Sequence, residues 1–136
     1  AQADVTAADY TSRTTTSTTY TTTLSPAGLC GIAFVAPPSG KIKVFWDVEC
    51  SNSGANACLT GHQIATGGTI GTGTPVLTVS DDRSIRHDGT TVERQGASGT
   101  ASDLVPGDTY NIALYHRVSA GTGTFLRREV VIAPSF

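Results

Sequence analysis

Charge is scarce in this chain: Asp, Glu, Lys and Arg make up 15% of its 136 residues, against about a quarter in ordinary soluble domains. Apolar bulk does not replace it, since hydrophobic residues reach only 38%. The balance is Thr, Ser, Gly and Ala, which excludes a chain held open by self-repulsion and favours β-structure with many turns. Also missing is any segment of helical period with caps. A net charge of −2 and a pI near 5.8 argue against nucleic acid as a partner. Arg127-Arg128 is the one adjacent basic pair, and in a strand its members point to opposite faces. No apolar run is long enough to cross a bilayer, so no membrane is expected. The residues Ala1–Thr6 carry neither the basic nor the apolar region of a secretory signal.

Motifs for chemistry are absent as well. There is no Gly-x-Ser-x-Gly elbow and no His-Glu-x-x-His. The run Gly67–Gly73 lacks the Lys and the following helix of a phosphate loop, and reads as a flexible β-turn region. Asp47 and Glu49 share one strand face, but two carboxylates without a cleft are a weak sign of glycoside chemistry. His116 falls on the face of Tyr110, Ile112 and Leu114, as a satisfied core or interface imidazole would. His87 lies among Asp81, Asp82, Arg83, Arg86 and Asp88. That region is expected to be a solvated loop, because the arginines oppose a cation site. Cys30, Cys50 and Cys58 lack zinc spacing. They read as small buried hydrophobes, with a Cys30–Cys50 or Cys50–Cys58 disulfide as the sharper alternative. No catalytic residue, metal or cofactor is assigned.

What is present is a succession of short strands. Lys41–Cys50 alternates cleanly, with Ile42, Val44, Trp46, Val48 and Cys50 on one face and Lys41, Lys43, Asp47 and Glu49 on the other. Phe45 breaks the polar face. Gly31–Ala36 is a strand stopped by Pro37-Pro38. Asp88-Gly89 predicts a hairpin between Ile85–His87 and Thr91–Arg94. In the last strand Leu126, Val130 and Ile132 face one way, and Arg127 and Glu129 the other. The fold-defining stretch is Leu104-Val-Pro-Gly-Asp-Thr-Tyr110. There Pro106 and Gly107 make the turn and Tyr110 opens the next strand as a tyrosine corner, with Trp46 as the buried sandwich tryptophan. The fold expected is all-β: an antiparallel Greek-key β-sandwich, fibronectin-like or jelly-roll-like.

The N-terminal stretch differs in composition. Thr14-Thr-Thr-Ser-Thr-Thr-Tyr-Thr-Thr-Thr23 favours extended backbone and offers little to bury. Residues 1–16 are therefore expected to form an extended arm and residues 17–136 the sandwich domain, with Ser17–Leu24 as its first strand and Tyr20 and Leu24 inward. Thr14, Thr15, Thr16, Thr18, Thr19 and Tyr20 are the candidate attachment residues, because such a run is ordered by a sheet edge or a neighbouring subunit.

The segments Phe34–Lys41, Gly67–Gly73, Tyr110–Phe125 and Val131–Pro134 resemble small virion proteins of tailed bacteriophages that infect actinobacteria. In such phages similar modules occur as head decoration proteins and minor tail proteins. The resemblance implies a non-enzymatic virion surface protein, made in the host cytoplasm, whose partner is the major capsid protein or another virion protein. A capsid-decorating module attached partly by its arm is the leading expectation. A homo-oligomer is expected alongside this, with a trimer suited to quasi-threefold positions and Phe45 or Tyr115 as candidate interface residues. The alternative is a tail-associated module recognising host surface glycans or proteins, through loops Ser51–Ala57 and Gly67–Thr74.

Overall fold

The computed structural model describes residues 4–136, so the first three residues of the expected arm lie outside the described residues. Ten strands follow one another: β1 Val5–Asp9, β2 Arg13–Thr15, β3 Gly31–Val35, β4 Ile42–Asn52 and β5 Ala57–Thr66, then β6 Pro75–Leu77, β7 Ile85–Asp88, β8 Glu93–Ala101, β9 Thr109–Val118 and β10 Gly123–Pro134. The only helical turn among the described residues is the 3₁₀ turn Asp81–Arg83. The strands form two antiparallel sheets. One has the order β1-β10-β4-β8, with β2 beside β1 on β10; the other has the order β3-β9-β5-β6, with β7 beside β6 on β5.

The pairing is nested. Taking β1 with β2 and β6 with β7, the first strand pairs the last, the second the next to last, and so inward to the hairpin at the centre. That is the wiring of an eight-stranded jelly roll, one of the two sandwich types the sequence allowed.

Alternation builds the core. From the first sheet Ile42, Val44, Trp46, Val48, Cys50, Phe125, Val130 and Ile132 point inward; from the second come Ile64, Tyr110, Ile112, Leu114 and Val118. Each large apolar side chain so buried contributes roughly 1.5–3 kcal/mol. The Trp46 indole N–H donates across the sandwich to Thr60 O at 3.1 Å. The tyrosine corner is present: Gly107 has φ 87°, and the Val105 N–H donates to the Tyr110 hydroxyl at 2.9 Å. Tyr110 also stacks on Phe34, with centroids 6.0 Å apart. All three cysteines are free thiols, buried in the core.

Five sequence expectations are corrected. Residues 1–16 are not a separate arm: β1 and β2 lie along β10, with Val5 opposite Ile132 and Thr15 opposite Gly123. Val5 and Ala7 pack against the core and supply the reason. Ser17–Leu24 is not a strand; Leu24 is buried, but the segment meets a sheet through no more than the isolated bridge of Thr21 to His116 and the Val118 N–H donating to Ser17 O at 2.9 Å. Asp88-Gly89 does turn, with Gly89 at φ 97°, yet it joins no hairpin, because β7 pairs with β5 and β8 with β4 in the opposite sheet. The register of β10 shifts between Phe125 and Arg127. That irregularity turns Phe125 and Arg128 inward and leaves Leu126 half-buried. His87, finally, is buried in β7 rather than solvated.

Candidate functional site

The deepest polar feature is Arg128, fully buried between the sheets by the shifted register of β10. Its guanidinium bonds Asp9 of β1, the Gly28 carbonyl at 3.1 Å and His116 Nε2 at 3.0 Å. On its other side His116 meets Thr60 Oγ1 at 2.9 Å. Asp9 also accepts from Arg13 Nε at 2.7 Å, and Arg13 reaches the Pro26 and Ala27 carbonyls. The Arg13 hydrogen bond, with help from Arg128, holds the Asp9 carboxyl well below the usual carboxylate range against the opposing effect of burial. Burial, reinforced by the Arg128 charge, pushes His116 well below its ordinary value, so it stays neutral. A neutral imidazole clamped on both nitrogens has no free position for proton transfer. This network fastens β1 to the sandwich.

Carboxylates on the outer face of the first sheet are likewise engaged. Asp47 accepts from Arg94 at 2.9 Å and Glu49 from Arg127 at 2.7 Å, while Arg94 also reaches Glu129 at 3.4 Å. These are cross-strand ion pairs on a flat, wet face, each worth little on its own. Asp81, in the 3₁₀ turn, is held by Arg117 at 2.6 Å and by the Tyr20 hydroxyl at 2.7 Å.

The expected interaction residues are dispersed. Thr14 and Thr15 are in β2; Thr16, Thr18 and Thr19 are exposed. Tyr20 is half-buried through its bonds to Asp81 and Ser84. Phe45, on β4, and Tyr115, on β9, face outward from different sheets and so cannot share one contact surface on a protomer. The loops after β4 and after β5 lie at opposite ends of β5, a ten-residue strand that spans about 33 Å. Gly67–Thr72 is clamped by Asn111, whose amide donates to the carbonyls of Gly67 and Thr72 and whose oxygen accepts from the Gly71 N–H.

Sequence reasoning missed the outer edge of β8. The Ser135 N–H donates to Lys41 O at 3.0 Å, and Pro134, which has no N–H, faces Ile42. That parity sends the odd-numbered backbone groups of β4 toward β10 and the even-numbered ones toward β8. In β8, Glu93, Gln95, Ala97, Gly99 and Ala101 therefore bond β4. Arg94, Gly96, Ser98 and Thr100 turn their N–H and C=O groups to an edge with no strand on it among the described residues. At nine residues β8 is the longest edge strand described. Beside it opens a cleft of about 220 Å³ floored by Trp46 and His62 and walled by Arg83, Ser84 and Gly99. His62 is 3% exposed, its Nδ1 has no partner among the described residues, and burial, with the nearby Arg83 charge, pushes it down to about 4.

No family model matches the chain, and no curated protein matches it. Solved structures do. A chain of the IBDV viral particle is 14% identical with a TM-score of 0.57, over 97% of this chain and 31% of its own length. This chain thus spans about a third of that protein. Eiger TNF from S. frugiperda is 8% identical with a TM-score of 0.49, over 99% of this chain and 96% of its own. A xylan-binding module is 12% identical with a TM-score of 0.35, over 98% and 100%. The first likeness supports the β-sandwich fold.

Proposed function

We propose that this chain is a non-enzymatic structural protein of a bacteriophage particle that decorates the outer capsid surface. The observation that carries the proposal is the nested jelly-roll wiring, an architecture that recurs in viral capsid proteins. A fold hosts many functions, so the wiring is joined here to the resemblance of Phe34–Lys41 and Tyr110–Phe125 to small virion proteins. The polar groups fit the same reading: Asp47 and Glu49 are engaged by arginines, and His116 is bonded on both nitrogens. They hold structure and leave no poised acid or base.

Docking in this reading does not use a free N-terminal tether, because β1 and β2 already pair with β10. It uses the folded surface, with many copies held on a repeated lattice by mass action. The test is to image purified particles carrying a labelled version of the protein. Regular, near-stoichiometric density on heads is expected. Protein confined to tails, or absent from particles, would overturn the proposal.

A further inference from the structure

We infer that two copies of this chain join edge to edge through β8, running antiparallel about a two-fold axis at Ala97, with Gln95 of each copy seated in the cleft of the other. Sheet edges are ordinarily blunted by brevity, proline, inward charge or a covering loop. The other edge strands follow that rule: β1, β2, β3, β6 and β7 have three to five residues each. β6 begins with Pro75, and β3 runs into Pro37-Pro38. β8 has nine residues, no proline and no lysine, and from Gly96 to Ala101 only Gly, Ala, Ser and Thr.

The occupant follows from register. Overlapping all nine residues with a second β8 sets Arg94 opposite the partner's Thr100 and Gly96 opposite the partner's Ser98, with both pairs repeated by symmetry. These are the residues whose backbone groups face the open edge, so every outward N–H and C=O from Arg94 to Thr100 gains a partner. Between them Ala97 meets its own copy, and small side chains suit that closer, non-hydrogen-bonded position. Glu93 and Arg94 are the only charged residues of β8, and they fall opposite the partner's Ala101 and the partner's Thr100. No like charges therefore stand opposite one another, which would oppose pairing.

The cleft explains why this register is preferred to a slipped one. Gly99 is on the inner face of β8 over Trp46, and a Cβ there would still lie 3.8 Å from the indole. The bare backbone leaves the cleft open at its mouth. In the nine-on-nine register the residue facing Gly99 on that same inner face is the partner's Gln95. Its carboxamide has both donor and acceptor atoms, which suits a cleft lined by Asp82 and Arg83 and by a neutral His62 whose Nδ1 has no partner among the described residues. A slip of two residues in either direction would present the partner's Glu93 or the partner's Ala97 instead. A side chain from the second copy thus completes the cleft. The pairing needs no particle and stands or falls apart from the virion proposal.

Light scattering and sedimentation of the full chain, away from particles, give the test. The wild type is expected at twice 14.0 kDa. Ser98→Pro, which removes an N–H facing the open edge and none from the β4 ladder, should be monomeric with an unchanged circular dichroism spectrum. Should proline unfold it, the charge variants decide: G96K/S98K sets like charges opposite and should dissociate the pair, whereas G96D/S98K sets opposite charges and should restore it. Gln95→Ala should weaken association about thirtyfold, because each dimer loses two buried hydrogen-bonding side chains. A wild type still monomeric at about 100 µM, which puts any Kd above that, would overturn the inference. So would a trimeric mass, or a dimer indifferent to these changes.

Discussion

The two flanks of the first sheet solve the same problem in opposite ways. On one, β1 and β2 cover β10 and are fastened from beneath by Arg128, Asp9 and Arg13. On the other, β8 carries small uncharged residues over most of its length and nothing pairs with its outer side among the described residues. Both flanks begin as extended polypeptide with little apolar weight. What separates them is a buried cation: with Arg128 at 0% exposure, the first flank must keep its carboxylate at home, because an unpaired buried charge is far more costly than a lost surface contact. The second flank has no such debt and is free to take a partner.

Removing the fastening should have the largest effect. Asp9→Ala leaves Arg128 buried without its counter-ion and should cost about 3–5 kcal/mol, the usual penalty for breaking a buried pair from one side. Urea unfolding would read it. The double change Asp9→Leu with Arg128→Met should cost much less, since neither charge remains. Equal losses in the two would mean that β1 is held by packing instead.

Acid should separate the Asp9 carboxylate from the buried histidines by pH. Asp9 has a depressed folded pKa, so its stabilisation is complete above the ordinary carboxylate value of 3.8 and is lost only below it. His62, beside the β8 cleft, behaves differently. Its folded pKa of about 4 lies below the ordinary 6.5, so the unfolded chain binds more protons and stability falls as pH drops from about 6.5 to 4. His116, also depressed, adds to that loss. Unfolding free energies at pH 7, 5 and 4 should decline steadily, and His62→Leu should make the decline shallower. Asp9→Asn should leave the slope above pH 4 unchanged.

Glycines give the smaller contrasts. Gly31, on β3 beside the fastened flank, has the Ile112 carbonyl 2.3 Å from where a Cβ would sit. Gly31→Ala should therefore cost roughly 1–3 kcal/mol through backbone displacement. Gly99→Ala on β8 meets only an ordinary contact at 3.8 Å within its own chain and, at protein concentrations low enough to keep the chain monomeric, should raise the melting temperature, by the roughly 0.5–1 kcal/mol that separates Ala from Gly in a strand. A loss at both positions would show that β8 is no looser than β3.

Much of the fold was legible where side chains alternate by polarity. Ile42 through Cys50 could be assigned inward residue by residue, and the corner at Tyr110 followed from Pro106 and Gly107. The β8 strand was not legible, because Gly96–Ala101 carries no apolar signal; its existence rests on the backbone groups of β4. The fastening of β1 was hidden for a different reason. Val5 and Ala7 are a faint pattern, and Arg128 is turned inward by a register shift that nothing near Phe125 announces. At Asp88-Gly89 the local turn rule held while the pairing did not, since which sheet a strand joins is decided by contacts distant in sequence. The candidate site was the least visible part: Trp46 was expected in the core, but its cleft exists only because Gly99 crosses above it.

The three thiols give the protein an internal clock. Cys30, Cys50 and Cys58 are each at most 2% exposed, so an alkylating reagent reaches none of them until the sandwich parts, even though burial pushes the Cys30 thiol up to about 11 while the neighbouring Cys50 pulls the Cys58 thiol down. Because Cys30 precedes β3 while Cys50 lies in β4 and Cys58 in β5, the order in which the sulfurs become modified reports which wall opens first.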